Sequence, residues 1–339
     1  MAYKNLVGQV CADEQEFFQR VRDFLCARVG TYDYSTTGVG WTLHDAVYAV
    51  DENTLTDGDY IVVYSAGESG DDDMYIKIRY STTTSIFYIR GYLYWDNVSH
   101  TGVLPFSNAD FSVVPLGTGY RLWLYGDMDA FSLIGYTGAA YSGYYFGKAT
   151  DLLYADTVAT SAGAVATGTD VVISLDAVPS TWVVGQSVFI RDTAAIVKIT
   201  IKNIVGLNVT ADITTAMAAG CKLQADISFT VPGYSYFGQQ SYNIAAHDGT
   251  SGSAAAYLTG SWNASPPAAC IPDTMNNDYI AVPLNFTDTA PDGYYGKAKN
   301  VLALANQHTN EDVLLVRSTG DSYRFFNMTS ARTFCFLEV

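Results

Sequence analysis

The sequence predicts a mainly β protein: antiparallel sheets in β-sandwich-like domains, one N-terminal helix and an inserted small β-barrel. Three observations carry that expectation. Several stretches alternate apolar and polar residues with a period of two, as strands do. Aromatic residues make up 14% of the 339 residues, with 26 Tyr and 29 Gly, a composition far from that of charge-rich disordered chains. Between 156 and 230, short apolar runs recur at even spacing with glycine at the corners, the pattern of a small barrel.

Taken in order, the first element is a helix before residue 30. Phe17, Phe18, Val21, Phe24 and Leu25 recur at helical spacing, Asp13 and Glu16 form a capping pair, and Gly30 can end the helix in a left-handed conformation. From residue 58 the period becomes two. Tyr60–Tyr64 is followed by Met74, Ile76, Ile78 and Tyr80 on one face, with Tyr75, Lys77 and Arg79 on the other, and then by Ile86–Trp95. The segments 68–73, 81–85 and 107–110 are turn chemistry. Tyr120–Tyr125 and Phe131–Tyr136 flank the turn GDMDA, 126–130.

Aromatics nearly vanish after 156, where Ala, Val, Thr and Ile take over. Strands are expected at Val171–Leu175, Val188–Arg191, Ile196–Ile201, Asn208–Asp212 and Lys222–Asp226, with reversals at 183–186, 204–208 and 218–221. The Gly/Ser/Ala/Pro-rich stretch 249–269 reads as a long surface loop. Val313–Val316, Tyr323–Phe326 and Phe334–Leu337 close the chain as strands. The expected organisation is an α+β domain over 1–155, a barrel-like module over 156–230 and a C-terminal β domain over 231–339 that can pack with the N-terminal one. One internal echo, GYYFGKATDLLYA (143–155) and GYYGKAKNVLAL (293–304), reads as a recurring way of entering a sheet.

Charge excludes several functions. With 18 basic and 34 acidic residues the net charge is −16, which opposes nucleic acid and anionic membranes as partners. Neither a signal peptide nor a run of eighteen apolar residues is present, so the expectation is synthesis in the cytoplasm without a membrane partner. Cys11, Cys26, Cys221, Cys270 and Cys335 are odd in number and lack any CxxC pair; buried free thiols are the plainer reading. His44, His100, His247 and His308 are too far apart in sequence for a paired-imidazole zinc motif. His44 reads as partly buried and His247 as a loop residue.

The acidic clusters are the remaining chemical candidates, because paired carboxylates run glycosidic chemistry. They are Glu68 with Asp71–Asp73, and Asp127 with Asp129. Both fall in turns, where Asp accepts local backbone N–H bonds, and turn structure is preferred over a calcium site or catalysis. No cofactor, metal or catalytic residue is assigned. The sheet aromatics Tyr88, Tyr92, Trp95, Trp123 and Tyr125 are expected to supply packing.

A resemblance then enters. The stretch ending FLCARVG, Trp41, GESGDDDMYIKIRYS, IFYIRGYLYW and YRLWLYGDMDAFSLIGYTGAAYSGYYFGK resemble the N-terminal part of virion structural proteins of tailed bacteriophages. DYIAVPLNFTDTAPDGYYGKAKNVLALANQHTNEDVLLVRSTGDSYRFFNMTSARTFCFLEV resembles their C-terminal part. The Ala/Val/Thr module departs from that pattern and resembles small β-barrels inserted in phage tail, neck and baseplate proteins. The resemblance implies a non-enzymatic virion component at the neck, collar, tail or baseplate. Its partners would be copies of itself and other virion proteins. The alternative is a receptor- or glycan-binding module facing host-surface glycan, and a third reading is a glycan depolymerase using Glu68 or Asp127.

Overall fold

The computed structural model describes residues 3–70, 74–84, 86–105, 111–113, 120–136, 141–148, 158–224, 229–230, 232–233, 242–245, 251–254, 282–286, 296–304, 309–315, 319–329 and 332–338. The first third holds β1 (Lys4–Cys11), α1 (Glu14–Leu25), β2 (Thr42–Val47), β3 (Tyr60–Ser65), β4 (Met74–Ser81), β5 (Ile86–Asp96), β6 (Thr101–Pro105), β7 (Phe111–Val113), β8 (Tyr120–Gly126), β9 (Ala130–Tyr136) and β10 (Tyr141–Lys148). The middle holds β11 (Val158–Thr160), β12 (Gly168–Ser174), β13 (Ser187–Arg191), β14 (Ile196–Thr200), β15 (Asn203–Val205), β16 (Asn208–Ile213) and β17 (Lys222–Gln224). There follow β18 (Phe229–Thr230), β19 (Pro232–Gly233), β20 (Tyr242–Ala245), β21 (Ser251–Ala254), β22 (Val282–Phe286), β23 (Gly296–Leu304), β24 (Val313–Leu315), β25 (Ser322–Thr329) and β26 (Arg332–Glu338). The chain is mainly β, as expected.

Helix α1 starts where the capping pair places it. Asp13 Oδ1 accepts the Glu16 N–H at 2.8 Å, and Glu16 Oε2 reaches back to the Ala12 N–H at 2.8 Å. Asp13→Ala is expected to cost about 1 kcal/mol, read as a lower urea midpoint at unchanged slope. An unchanged midpoint would show that the cap is dispensable. The helix end differs from expectation. Cys26 caps it and Ala27 takes the left-handed conformation (φ 46°), whereas Gly30 is needed for close approach: a Cβ there would lie 2.3 Å from Asp23 Oδ2. Asp23 is held in place because it is buried beside Arg22, Nε to Oδ1 2.7 Å, and Arg22 and Arg28 both reach Glu52 at 3.2 Å.

Three layers follow from the alternation of side chains. Sheet one runs β2-β3-β4-β5-β6, with β7 also on β5; sheet two runs β1-β8-β9-β10-β18; sheet three runs β22-β23-β26-β25-β24. Met74, Ile76, Ile78 and Tyr80 face inward as expected and meet the apolar stripe of α1, with Phe17 and Phe18 against Phe87 at 5.0 and 5.5 Å. The same core takes Leu122, Leu124, Phe131, Leu133 and Phe146 from one face of sheet two. Trp123, Tyr125, Ile134, Tyr141 and Tyr145 point the other way, onto Val301, Phe326, Phe334 and Phe336 of sheet three. Sheet two is therefore a middle layer buried on both faces, which is why YRLWLYG reads as almost continuously apolar.

Strand β1 goes unread in the sequence because a bulge breaks its alternation. Its register against β8 shifts between Leu6 and Gln9, where Gly8 has φ 58°.

The barrel expected over the middle module is not seen as a closed sheet within 158–224. The module consists of a four-stranded sheet, β11-β17-β13-β14, and a three-stranded sheet, β12-β16-β15, stacked on one core of Ile173, Leu175, Trp182, Val188, Ile190, Ile199, Val209 and Leu223. Among the described residues the sheets do not close into a barrel. Their rims are joined by backbone bonds, Ala162 N–H to Ser174 O at 2.8 Å and Asp176 N–H to Thr160 O at 2.9 Å where β11 meets β12, and Lys202 N–H to Thr210 O at 2.8 Å where the chain passes from β14 to β15, so the two sheets stack with stitched edges and not as one continuous ladder. Gly185, Gly206 and Gly220 do stand at its corners with positive φ. Within 249–269, Ser251–Ala254 is a strand paired with β20, and the remainder lies outside the described residues.

Cys11, Cys26, Cys221 and Cys335 are free thiols, and burial pushes those of Cys11 and Cys26 up to about 12. Cys270 lies outside the described residues. No helix among the described residues is long and apolar enough to cross a membrane.

Candidate functional site

The acidic groups singled out in the sequence meet in space. Asp127 and Asp129 sit in the turn between β8 and β9, and the expected local bonds are present: Asp127 Oδ1 accepts the N–H groups of Asp129 at 2.9 Å and Ala130 at 3.2 Å. The turn is held from below by Trp41, whose Nε1–H donates to Asp127 O at 2.8 Å. Glu68 comes from the segment after β3, and its N–H donates to Asp129 Oδ1 at 2.7 Å. Asp71–Asp73 lie outside the described residues.

At the centre stands Lys299 of β23, in the second copy of the internal echo. Its Nζ lies 2.6 Å from Asp129 Oδ2, 2.9 Å from Asp127 Oδ2 and 3.2 Å from Glu68 Oε2. An ammonium has three donors, and three carboxylates receive them. The first copy of the echo supports the same point. Tyr145 of β10 accepts the Lys299 N–H at 3.1 Å and donates its hydroxyl to Lys148 O at 2.5 Å. Gly147 lets the turn approach, because a Cβ there would lie 2.4 Å from Asp129 O. The described parts of the two echo segments, 143–148 and 296–304, thus both contribute to one ion cluster.

The electrostatics follow from burial and pairing. Asp127, 2% exposed, is pushed above the ordinary carboxylate range by burial, with Lys299 pulling the other way. For Asp129 burial also raises the pKa, but the Glu68 N–H and Lys299 outweigh it and hold it low. Burial lowers the Lys299 pKa, and the bonds to Asp129 and Asp127 more than reverse it. The three carboxylates have oxygens within 4.8 Å of one another, the donor set of a hard cation. The cation they surround is the lysine ammonium.

A second cluster lies on the outer face of sheet one. Asp45 Oδ2 accepts Trp95 Nε1–H at 2.7 Å and lies 3.0 Å from His100 Nδ1, fixing Trp95 against Tyr92 at 5.1 Å and Tyr60 at 5.9 Å. Burial raises the Asp45 pKa, while the bonds from His100 and Trp95 bring it below its ordinary value. Three cations stand over rings: Lys77 over Tyr60 at 3.9 Å, Arg79 over Tyr88 at 4.8 Å and Arg90 over Tyr92 at 5.6 Å. Lys77, Arg79, Tyr88, Arg90 and Tyr92 line a cleft of about 360 Å³.

The five aromatics named from the sequence all pack within the chain. Trp123 and Tyr125 are fully buried between sheets two and three, Tyr92 and Trp95 are buried on sheet one, and Tyr88 is half-buried in the cleft. His44 is half-buried with Nε2 3.2 Å from Trp95 O; His247 and His308 lie outside the described residues. Sequence reasoning missed Lys299 and the three ring-bound cations. The alternation of Tyr75, Lys77 and Arg79 signalled their shared face; nothing local signalled Arg90 opposite.

Comparison of the chain with models of known protein families and with curated proteins finds no match.

Proposed function

We propose that the chain is a non-enzymatic structural component of a tailed-bacteriophage virion, at the neck, collar, tail or baseplate. It is made in the host cytoplasm and assembles with copies of itself and with other virion proteins. The observation that carries this reading is the state of the sheet rims. Strand β24 ends sheet three with Val313 and Leu315 50% and 59% exposed, and β1 ends sheet two with Val10 60% exposed. A strand at the end of a sheet offers unpaired backbone groups to another strand, and proteins that stay monomeric blunt such edges with charge. Branched aliphatic side chains on both rims favour joining. The use of Glu68, Asp127 and Asp129 to bind Lys299 favours the non-enzymatic part, and about 200 residues with the pattern of phage structural proteins favour the location.

Two measurements test it. Purified protein should form discrete oligomers by light scattering, and Val313→Lys with Leu315→Lys should shift them towards monomer while leaving the melting temperature within a few degrees. Mass spectrometry of purified phage particles should find the chain. A monodisperse monomer at high concentration, or a chain missing from mature particles, would overturn the proposal.

A further inference from the structure

We infer that Lys299 and Asp127 close into an intramolecular amide, a covalent tie between β23 of sheet three and the β8–β9 turn of sheet two that forms by self-reaction after folding. Such a bond goes beyond the proposed assembly role and forms whether or not the chain joins a particle.

The parts of an acyl-transfer site stand within one cluster. The nucleophile is the Lys299 amine, 2.9 Å from Asp127 Oδ2. The electrophile is the Asp127 carboxyl, which burial pushes towards its acid form, the form that can lose a hydroxyl. Its other oxygen, Oδ1, accepts two backbone N–H groups, from Asp129 at 2.9 Å and Ala130 at 3.2 Å. Two backbone donors on one carboxyl oxygen are the arrangement that stabilises the oxyanion of a tetrahedral intermediate. The base is Asp129, whose Oδ2 lies 2.6 Å from Nζ. Glu68, at 3.2 Å and the most exposed of the three carboxylates, connects the cluster to solvent.

The step balances without a co-reactant. Asp129 takes one proton from the Lys299 ammonium, and the freed amine adds to Asp127 Cγ through a new N–C bond. A second proton passes from that nitrogen to Oδ2, the Cγ–Oδ2 bond breaks and water leaves. The proton on Asp129 returns to solvent through Glu68, matching the one that Asp127 took up to reach its acid form. The net change is one ammonium and one carboxylate to one amide and one water, with nothing oxidised or reduced.

Placement and burial both favour closure. Asn300, left-handed at φ 60°, breaks the alternation of β23 beside Lys299, the kind of bulge that re-aims a side chain. The Lys299 N–H is bonded to the Tyr145 hydroxyl, and Trp41 holds the Asp127 carbonyl from below. Fixed, well-oriented neighbours react as if at about 10⁵–10⁸ M. An amide carries no charge, so closure also removes two charges from a place where burial has weakened their hydration. The same surroundings set the rate. Asp129 and Asp127 hold Lys299 protonated, so the free amine is rare and closure is slow compared with folding. The ion cluster is the reactant state, and its titration belongs to the chain before the bond forms.

The test follows the purified full chain by intact mass, and by tandem mass spectrometry of its tryptic peptides, from the day of purification through several weeks at room temperature. The mass is expected to fall by one water, trypsin to stop cutting after Lys299, and a branched peptide joining Lys299 to Asp127 to accumulate. Lys299→Arg keeps a cation among the carboxylates but supplies no attacking amine, so it should stay folded and keep its full mass. Asp127→Ala should abolish the branched peptide, and Asp129→Asn, which removes the base, should slow its appearance at least about tenfold. A folded chain that keeps its full mass and is still cut after Lys299 would overturn the inference. So would a lost water located anywhere but between Lys299 and Asp127, or an unchanged rate in folded Asp129→Asn.

Discussion

Trp123→Ala is expected to destabilise the protein by about 3–5 kcal/mol, the cost of removing a fully buried large aromatic from a core that cannot collapse around the gap. The side chain lies between sheets two and three, 5.1 Å from Phe326 and 5.7 Å from Tyr141, with the Arg121 guanidinium 4.8 Å from its ring. Its loss opens the layer boundary and leaves sheet three less firmly docked. Hydrogen exchange should accelerate over 322–329 and 332–338 before it accelerates in α1. Leu122→Ala, one residue away on the opposite face, should cost about 2–5 kcal/mol and loosen the α1 side instead. Trp123→Phe should cost less than about 1.5 kcal/mol, because it keeps most of the ring and removes an indole N–H that has no acceptor among the described residues. Equal effects of Trp123→Ala and Leu122→Ala on both regions would show that the layers do not respond separately.

Lys299→Met is the second large effect. Removing one partner from a buried ion cluster leaves the others as uncompensated charges, at a cost of about 3–5 kcal/mol when burial is complete. Lys299 is 21% exposed, so a loss nearer ~2–4 kcal/mol is expected at neutral pH. The pH dependence has a definite sign. Lys299 has its pKa raised by Asp129 and Asp127, so its contribution is fully present below the ordinary lysine value of about 10.4 and is lost as pH rises through the folded value. Asp129 is held low; its contribution is present above about 3.9 and is lost as pH falls through its lowered value. Asp127 is raised by burial and works in the opposite sense, recovering stability as it protonates. In Lys299→Met the buried Asp127 and the half-buried Asp129 lose their shared cation and protonate more readily, so the stability gap to the parent protein should narrow as pH falls from 7 towards 4. Asp127→Asn in the Lys299→Met background should recover part of the loss at neutral pH. A gap that does not change with pH would show that the cluster contributes packing alone.

Local rules made much of this architecture legible. The alternation at 74–80 named the inward face of β4 residue by residue, and the Asp13–Glu16 pair named the start of α1, because cap and pleat are decided by neighbours a few positions apart. The bulge at Gly8 hid β1 for the same reason: a strand that breaks its own period looks like no strand. Glycine at the corners of the 158–224 module was readable, but whether its sheets close was not, since closure depends on ladder length across segments far apart in the chain. In the acidic turn, the bonds from Asp127 to its own backbone were foreseeable and the ammonium beside it was not.

What the sequence by itself determined is therefore the menu of parts: strands, their inward faces, one capped helix, turns rich in Asp and Gly, and a charge balance hostile to polyanions. Tertiary structure alone decided the assignments between parts. It put Glu68, Asp127 and Asp129 around Lys299, sequence separations of 231, 172 and 170 residues, and it set Lys77 against Arg90 over one cleft. The physical reason is range. Dihedral preferences and side-chain alternation act over a few residues, whereas an ion pair forms wherever packing brings charges within a few ångströms, and that distance is a property of the stacked layers and not of any one segment.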